Sequence, residues 1–274
     1  MDKRAPLPID LYSPERQKYK APLILLHGLW SSSLCWMPWA THFANLGWEC
    51  RAVNLPGRFG ADAAAELKRL RFEECVSDVR EVLRAAPFPP VVVAHDLGAL
   101  IALKALEGEK ASAVVLLAPL PPAELLPELP RALKLLRLKY SALMLLRRPF
   151  RIEAGDFHKL WLGAPARDGA DTECLVADAP ALIQTFFARR VHFAWGKSRF
   201  PILIAAARDD CVVPQDALGA LAARLGAELR EVPGGHWLIG EQGGAETVRE
   251  VHRWIVQKIG GEILLEPPPR AAAE

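Results

Sequence analysis

The stretch Val91-Val92-Val93-Ala94-His95-Asp96-Leu97-Gly98-Ala99-Leu100 limits most sharply what this chain can fold into. Three β-branched residues stop at a small one, an acid follows, and a glycine opens a helix-forming run to Leu106. The pattern predicts a strand, a tight turn and a helix, with Asp96 mounted on the turn. Small residues at 94 and 98 suit such a bend, because a sharp strand-to-helix turn strains its central residue and leaves little room for neighbouring side chains. Taken alone, the pentapeptide also reads as an ordinary turn with Asp96 as a helix N-cap.

Other segments carry the same alternation. Residues 23–26 and 114–118 are continuous apolar runs, as expected of strands buried on both faces of a parallel sheet. Residues 48–54, 202–207 and 228–232 read as further strands, with a short one within 7–12. Helical patterns cover 33–47, 61–86, 97–106, 214–225 and 245–259, the last with Val248, Val251, Ile255 and Ile259 on one stripe. Strands alternating with helices predict an α/β fold, a mostly parallel sheet with helices on both faces. The rhythm breaks after Pro119. Residues 121–195 carry helical patterns and no convincing strand, which predicts a helical cap inserted between core segments 1–120 and 196–260. Residues 261–274 read as a loosely held tail.

A chain of 274 residues, 51% of them hydrophobic, suits one large-cored domain with an insertion. Its net charge of +2 gives no general argument for nucleic acid as a partner. Cys35, Cys50, Cys75, Cys174 and Cys211 are odd in number and lack metal-type spacing, so neither a disulfide framework nor a metal site is expected. The first residues lack the apolar core of a signal peptide, and charge interrupts every candidate membrane span. A cytoplasmic protein is the expectation, with a homodimer left open.

Around the turn the chain resembles the α/β-hydrolase superfamily, and Asp96 makes it similar to the epoxide hydrolase and haloalkane dehalogenase branches rather than to the serine esterases. The resemblance implies an acid and then a histidine after the nucleophile. Arg208-Asp209-Asp210-Cys211-Val212-Val213-Pro214 is similar to the family's acid loop, with Asp210 as the acid, and Pro233-Gly234-Gly235-His236-Trp237 supplies the histidine. Each follows a predicted strand, so three loops should meet at one edge of the sheet. The resemblance further implies that the loop opened by His27-Gly28 gives the backbone N–H of Leu29 to an oxyanion hole, paired with that of Leu97. His27 and His95 are read as structural.

Aspartate changes the chemistry. Its reference pKa of about 3.9 leaves it ionised at neutral pH. Attack on an acyl carbon would give an anhydride that expels the better leaving group backwards, whereas attack on a saturated carbon gives a stable alkyl ester. The expected reaction has two steps: Asp96 opens an epoxide to form the ester, and His236, oriented by Asp210, activates the water that hydrolyses it. The expected substrate is a small apolar electrophile, and no cofactor is expected. Epoxide hydrolases, as a family, protonate the epoxide oxygen with two cap tyrosines; this cap has only Tyr140. Trp30, Trp161, His192 and Trp195 are the further pocket candidates. Leu97 and Leu29 stand where haloalkane dehalogenases carry halide-binding tryptophan and asparagine, which ranks that activity lower.

Two rivals stand beside this reading. One is a serine-hydrolase scaffold in which aspartate replaced serine and hydrolysis was lost or redirected to lyase or isomerase chemistry. The other is a non-catalytic ligand-binding module, against which the retained Asp210 and His236 speak. Within the cap, Arg131, Lys134, Arg137, Lys139, Arg147, Arg148 and Arg151 occur with no acid between them. They read as a solvated helix face, with the interleaved leucines lining an apolar pocket above Asp96.

Overall fold

The computed structural model describes residues 6–162, 174–194, 196, 198–240 and 244–265. The strands are β1 (Ile9–Tyr12), β2 (Leu23–Leu26), β3 (Cys50–Val53), β4 (Val91–His95), β5 (Ala113–Leu117), β6 (Ile202–Ala207) and β7 (Glu228–Val232). They form one sheet in the order β1-β3-β2-β4-β5-β6-β7. Only β1 runs antiparallel to its neighbour, and every other pairing is parallel. The α/β-hydrolase fold expected from the sequence is the fold observed.

Every residue of β2, β4, β5 and β6 is buried, which explains their unbroken apolar runs. β7 is at the sheet edge and alternates exposed and half-buried positions instead. Parallel neighbours need crossovers, supplied here by α1 (Met37–Asn45), α2 (Ala63–Arg69), α3 (Phe72–Arg84), α4 (Leu97–Ala105) and α9 (Gln215–Leu225), while α10 (Gly244–Ile263) follows the last strand. Between β5 and β6 the described residues hold only helices, α5 (Arg131–Lys139), α6 (Ser141–Leu145), α7 (Ala154–Trp161) and α8 (Pro180–Ala188).

Three boundaries differ from the sequence reading. The helical pattern of 61–86 is broken at Leu70 and Arg71, both in extended backbone, because Glu74 accepts the Arg71 N–H (2.7 Å) and starts α3 afresh. Within the helical patterns of 121–195, the helix breaks at Tyr140 between α5 and α6. The last helix continues past 260 to a fully buried Ile263, whose carbonyl accepts the Lys20 N–H (2.8 Å), and Leu264 bridges Tyr19. Burial of Ile263 and backbone hydrogen bonds to the N-terminal segment thus hold residues that composition alone assigned to a loose tail; the remainder of that tail, 266–274, lies outside the described residues.

Candidate active site

β4 is the middle strand, and Asp96 follows it directly with φ 54° and ψ −125°. Such a conformation costs a residue with a Cβ of the order of 1–3 kcal/mol and persists only where the surroundings enforce it. They do so by close approach. A Cβ on Gly98 would collide with the His27 carbonyl oxygen, and one on Gly28 would lie 2.6 Å from the Asp96 Cβ. The glycines let the β2 and β4 loops come together, with the Asp96 side chain wedged between them.

The carboxylate is held at both oxygens. Leu29 N–H donates to Oδ2 (3.0 Å), and His236 Nε2 lies 3.4 Å from Oδ1. His236 Nδ1 lies 2.9 Å from Asp210 Oδ2, and Asp210 Oδ1 accepts the N–H groups of Val212 (2.7 Å) and Val213 (2.8 Å). The loops after β2, β4, β6 and β7 therefore meet at the carboxyl ends of the strands, where ligands bind in open α/β sheets. Leu97, the other oxyanion candidate, opens α4 directly after Asp96.

Electrostatics sets the protonation. Burial opposes charge on His236, but Asp210 and Asp96 on either side outweigh it and push its pKa up to about 10. Burial opposes charge on Asp96 too; the hydrogen bond and positive charge of His236 bring its carboxyl below the usual range. At neutral pH the site is thus an imidazolium between two carboxylates. His27 and His95 behave oppositely. Burial brings them down to about 3 and about 4. Neutral His27 accepts the Leu55 N–H at Nε2 (3.1 Å), and neutral His95 donates Nε2–H to the His236 carbonyl (2.8 Å), so both brace the site's loops.

Above the triad lies an aromatic roof. Trp161 is edge-on to His236 with ring centroids 5.8 Å apart, and also contacts Trp30 (5.5 Å) and Phe186 (6.0 Å). The Nε1 of Trp30 is buried and has no hydrogen-bond partner among the described residues. Side chains of Asp96 and His236 are fully buried, so neither meets solvent in this conformation.

Four pocket expectations need correction or a limit. Tyr140 is buried at the junction of α5 and α6, donating its hydroxyl to Asp156 Oδ2 (2.7 Å) and accepting the Glu153 N–H (3.0 Å), so its proton is committed away from Asp96. His192 is exposed, and its carbonyl accepts Lys104 Nζ (2.7 Å). Trp195 lies outside the described residues. The expected leucine-lined pocket above Asp96 is not built from α5 and α6 as read: Leu135, Leu138, Leu145 and Leu146 point to solvent at 58–82% exposure.

The sequence reading missed a buried ion pair. Asp178, just before α8, accepts the Trp30 N–H (2.8 Å), Arg58 Nη2 (2.9 Å) and the Ala179 N–H (2.7 Å), while Arg58 Nε donates to the Ser31 carbonyl (3.0 Å). Val176 N–H adds a bond to the Trp30 carbonyl (2.8 Å). Residues 176–178 therefore fasten both the N–H and the carbonyl of Trp30, the residue next to Leu29. A lone acid in the apolar run Val176-Ala177-Asp178-Ala179 was the available signal, but nothing local names a partner 120 residues away.

Residues 23–250 match the model of the alpha/beta hydrolase family, and the chain belongs to that family. No curated protein sequence matches it. Among solved structures it is similar to a soluble variant of a monoglyceride lipase from Saccharomyces cerevisiae (TM-score 0.70, 15% identity, 91% of each chain covered). It is also similar to an esterase from Exiguobacterium antarcticum (0.68, 14%, 91% of this chain and 95% of that one). An alpha/beta hydrolase fold protein from Burkholderia ambifaria is a third (0.63, 21%, 90% and 94%). At these identities the likeness concerns the fold.

Proposed function

We propose that the protein is a hydrolase in which Asp96 attacks a saturated electrophilic carbon, with an epoxide as the substrate class. The observation that carries this reading is the placement of Asp96 at the strained turn, one oxygen on the Leu29 N–H and the other facing His236, which Asp210 holds from behind. In the first step an Asp96 oxygen bonds to the epoxide carbon and the ring C–O bond breaks. The alkoxide takes the Nε2 proton of His236, leaving a hydroxyalkyl ester and a neutral imidazole. A protonated His236 thus supplies the acid that Tyr140, bound to Asp156, does not. Esterification also removes one of the two charges that kept His236 protonated, which lowers its pKa into the range of a useful base. Neutral His236 then takes a proton from water, and the hydroxide adds to the ester carbonyl. The oxyanion is stabilised by the Leu29 N–H. His236 passes its proton to the departing diol oxygen and regains one from the regenerated Asp96 carboxyl.

A second reading has its own support. The engagement of Tyr140 with Asp156 removes a feature of epoxide hydrolases, and the fold-level relatives include an esterase and a lipase. A serine-type scaffold with altered chemistry fits both facts. Product analysis over epoxides, alkyl halides and activated esters separates the two, using the wild type, Asp96→Ala and Asp96→Ser. Diols lost by about 10⁴-fold or more in both variants support the Asp96 nucleophile. A silent wild type with esterase activity appearing in Asp96→Ser supports the scaffold reading. On the first reading a single turnover in heavy-oxygen water places the label in the Asp96 carboxylate and not in the diol, because the water attacks the ester carbonyl; label found only in the diol rejects it.

A further inference from the structure

Of the twelve large hydrophobic side chains exposed among the described residues, four lie between positions 135 and 146: Leu135 (58%), Leu138 (71%), Leu145 (82%) and Leu146 (63%). Single exposed leucines are ordinary, but a cluster on one short helical stretch marks a contact surface. The same stretch has an inner face of Leu133, Leu136, Tyr140 and Met144, all buried, so the outer leucines are not needed to seat it on the protein. Cations surround them. Residues 131–151 contain seven Lys or Arg and no acid. Lys134 pairs with Glu128, and Lys139 with Glu153 and Asp156, whereas Arg131, Arg137, Arg147 and Arg148 make no ion pair among the described residues. Lys134, Arg137, Leu138 and Leu145 face a common groove of about 1090 Å³.

We propose that the outer face of α5 and α6 docks on an anionic lipid surface. Aliphatic side chains standing among unpaired cations match a bilayer boundary, where the leucines enter the acyl region and the guanidinium groups remain with acidic headgroups. The occupant is not a second copy of this face, since isologous pairing would set cation against cation. It is not a protein hot spot of the usual kind either, since the exposed cluster holds no aromatic anchor. The inference rests on the surface alone and is independent of the chemistry at Asp96.

Sedimentation of the full chain with phosphatidylcholine vesicles, with and without phosphatidylglycerol, tests it. The expected result is pelleting with phosphatidylglycerol vesicles, little with phosphatidylcholine alone, and loss in high salt. Affinity should fall roughly tenfold or more both in Arg137→Gln/Arg148→Gln and in Leu138→Gln/Leu145→Gln. All four positions are exposed, so unchanged circular dichroism and Tm should show both variants folded. No pelleting with anionic vesicles overturns the proposal, as does pelleting that either double variant leaves intact. Equal binding to soluble polyglutamate, insensitive to the leucine pair, marks a purely electrostatic surface and overturns it too. A doubled solution mass abolished in the leucine variant assigns the face to self-association and does the same.

Discussion

His236 shares its proton between two acids, and this gives the site a property that the identity of its residues does not announce. With both carboxylates charged the imidazole pKa is pushed up to about 10, so the resting site carries an acid where the proposed second step needs a base. The conversion depends on the charge of Asp96. Asp96→Asn keeps the size of the side chain and removes that charge, so the His236 pKa should drop markedly toward the ordinary histidine range. Following the imidazole resonances through a pH titration by NMR checks this; an unchanged His236 titration would place the proton's support on Asp210 alone. At this scale the sequence was informative about identities: Asp96, Asp210 and His236 each follow a strand, and the structure brings them together. It was uninformative about contacts made by folding. The hydroxyl of Tyr140 goes to Asp156, sixteen positions on, and no periodicity distinguishes that arrangement from a hydroxyl aimed at substrate.

Elements follow the same division. The strands were legible because burial on both faces writes an unbroken apolar run, as in Val91–His95. Breaks within helical patterns were not, since the stop between α2 and α3 depends on a side-chain bond from Glu74 to the Arg71 N–H. Hardest to foresee was the tie from the cap segment before α8 to the loop after β2. Asp178 and Arg58 are both buried, and removing one charge of such a pair leaves the other uncompensated, at a cost of about 3–5 kcal/mol. Asp178→Asn should therefore destabilise the protein by that order, while Asp178→Asn combined with Arg58→Met should lose clearly less than the two single variants summed. Urea unfolding of the three variants measures the coupling; strict additivity would show that the pair is not a unit. Because the same carboxylate holds the Trp30 N–H, Asp178→Asn should also slow hydrolysis of the Asp96 ester by up to about 10²-fold, the effect of a misplaced oxyanion donor. Ester formation should change less, so the adduct should build up in intact-protein mass spectra.

Across the whole molecule the buried histidines link stability to pH in opposite directions. His27 and His95 are neutral in the fold, with pKa values of about 3 and about 4, whereas the unfolded chain binds protons at both near pH 6.5. Their contribution is complete above pH 6.5 and is lost as the pH falls toward those values, by up to about 1.4 kcal/mol per pH unit for each. His236 is the reverse. Its folded pKa is raised to about 10, so its stabilisation is complete below pH 6.5 and is lost as the pH rises through about 10. The limbs meet near pH 6.5, where stability should be greatest, with decline on both sides. Urea midpoints measured across pH should trace this dome. Asp96→Asn should flatten the alkaline limb, since the folded His236 pKa then lies closer to the unfolded one, and His95→Gln should flatten the acid limb by removing one of the two histidines that burial lowers most. The two limbs are carried by different histidines, so His95→Gln should leave the alkaline limb in place; flattening of that limb too would show that the dome comes from general charge repulsion and not from these buried sites.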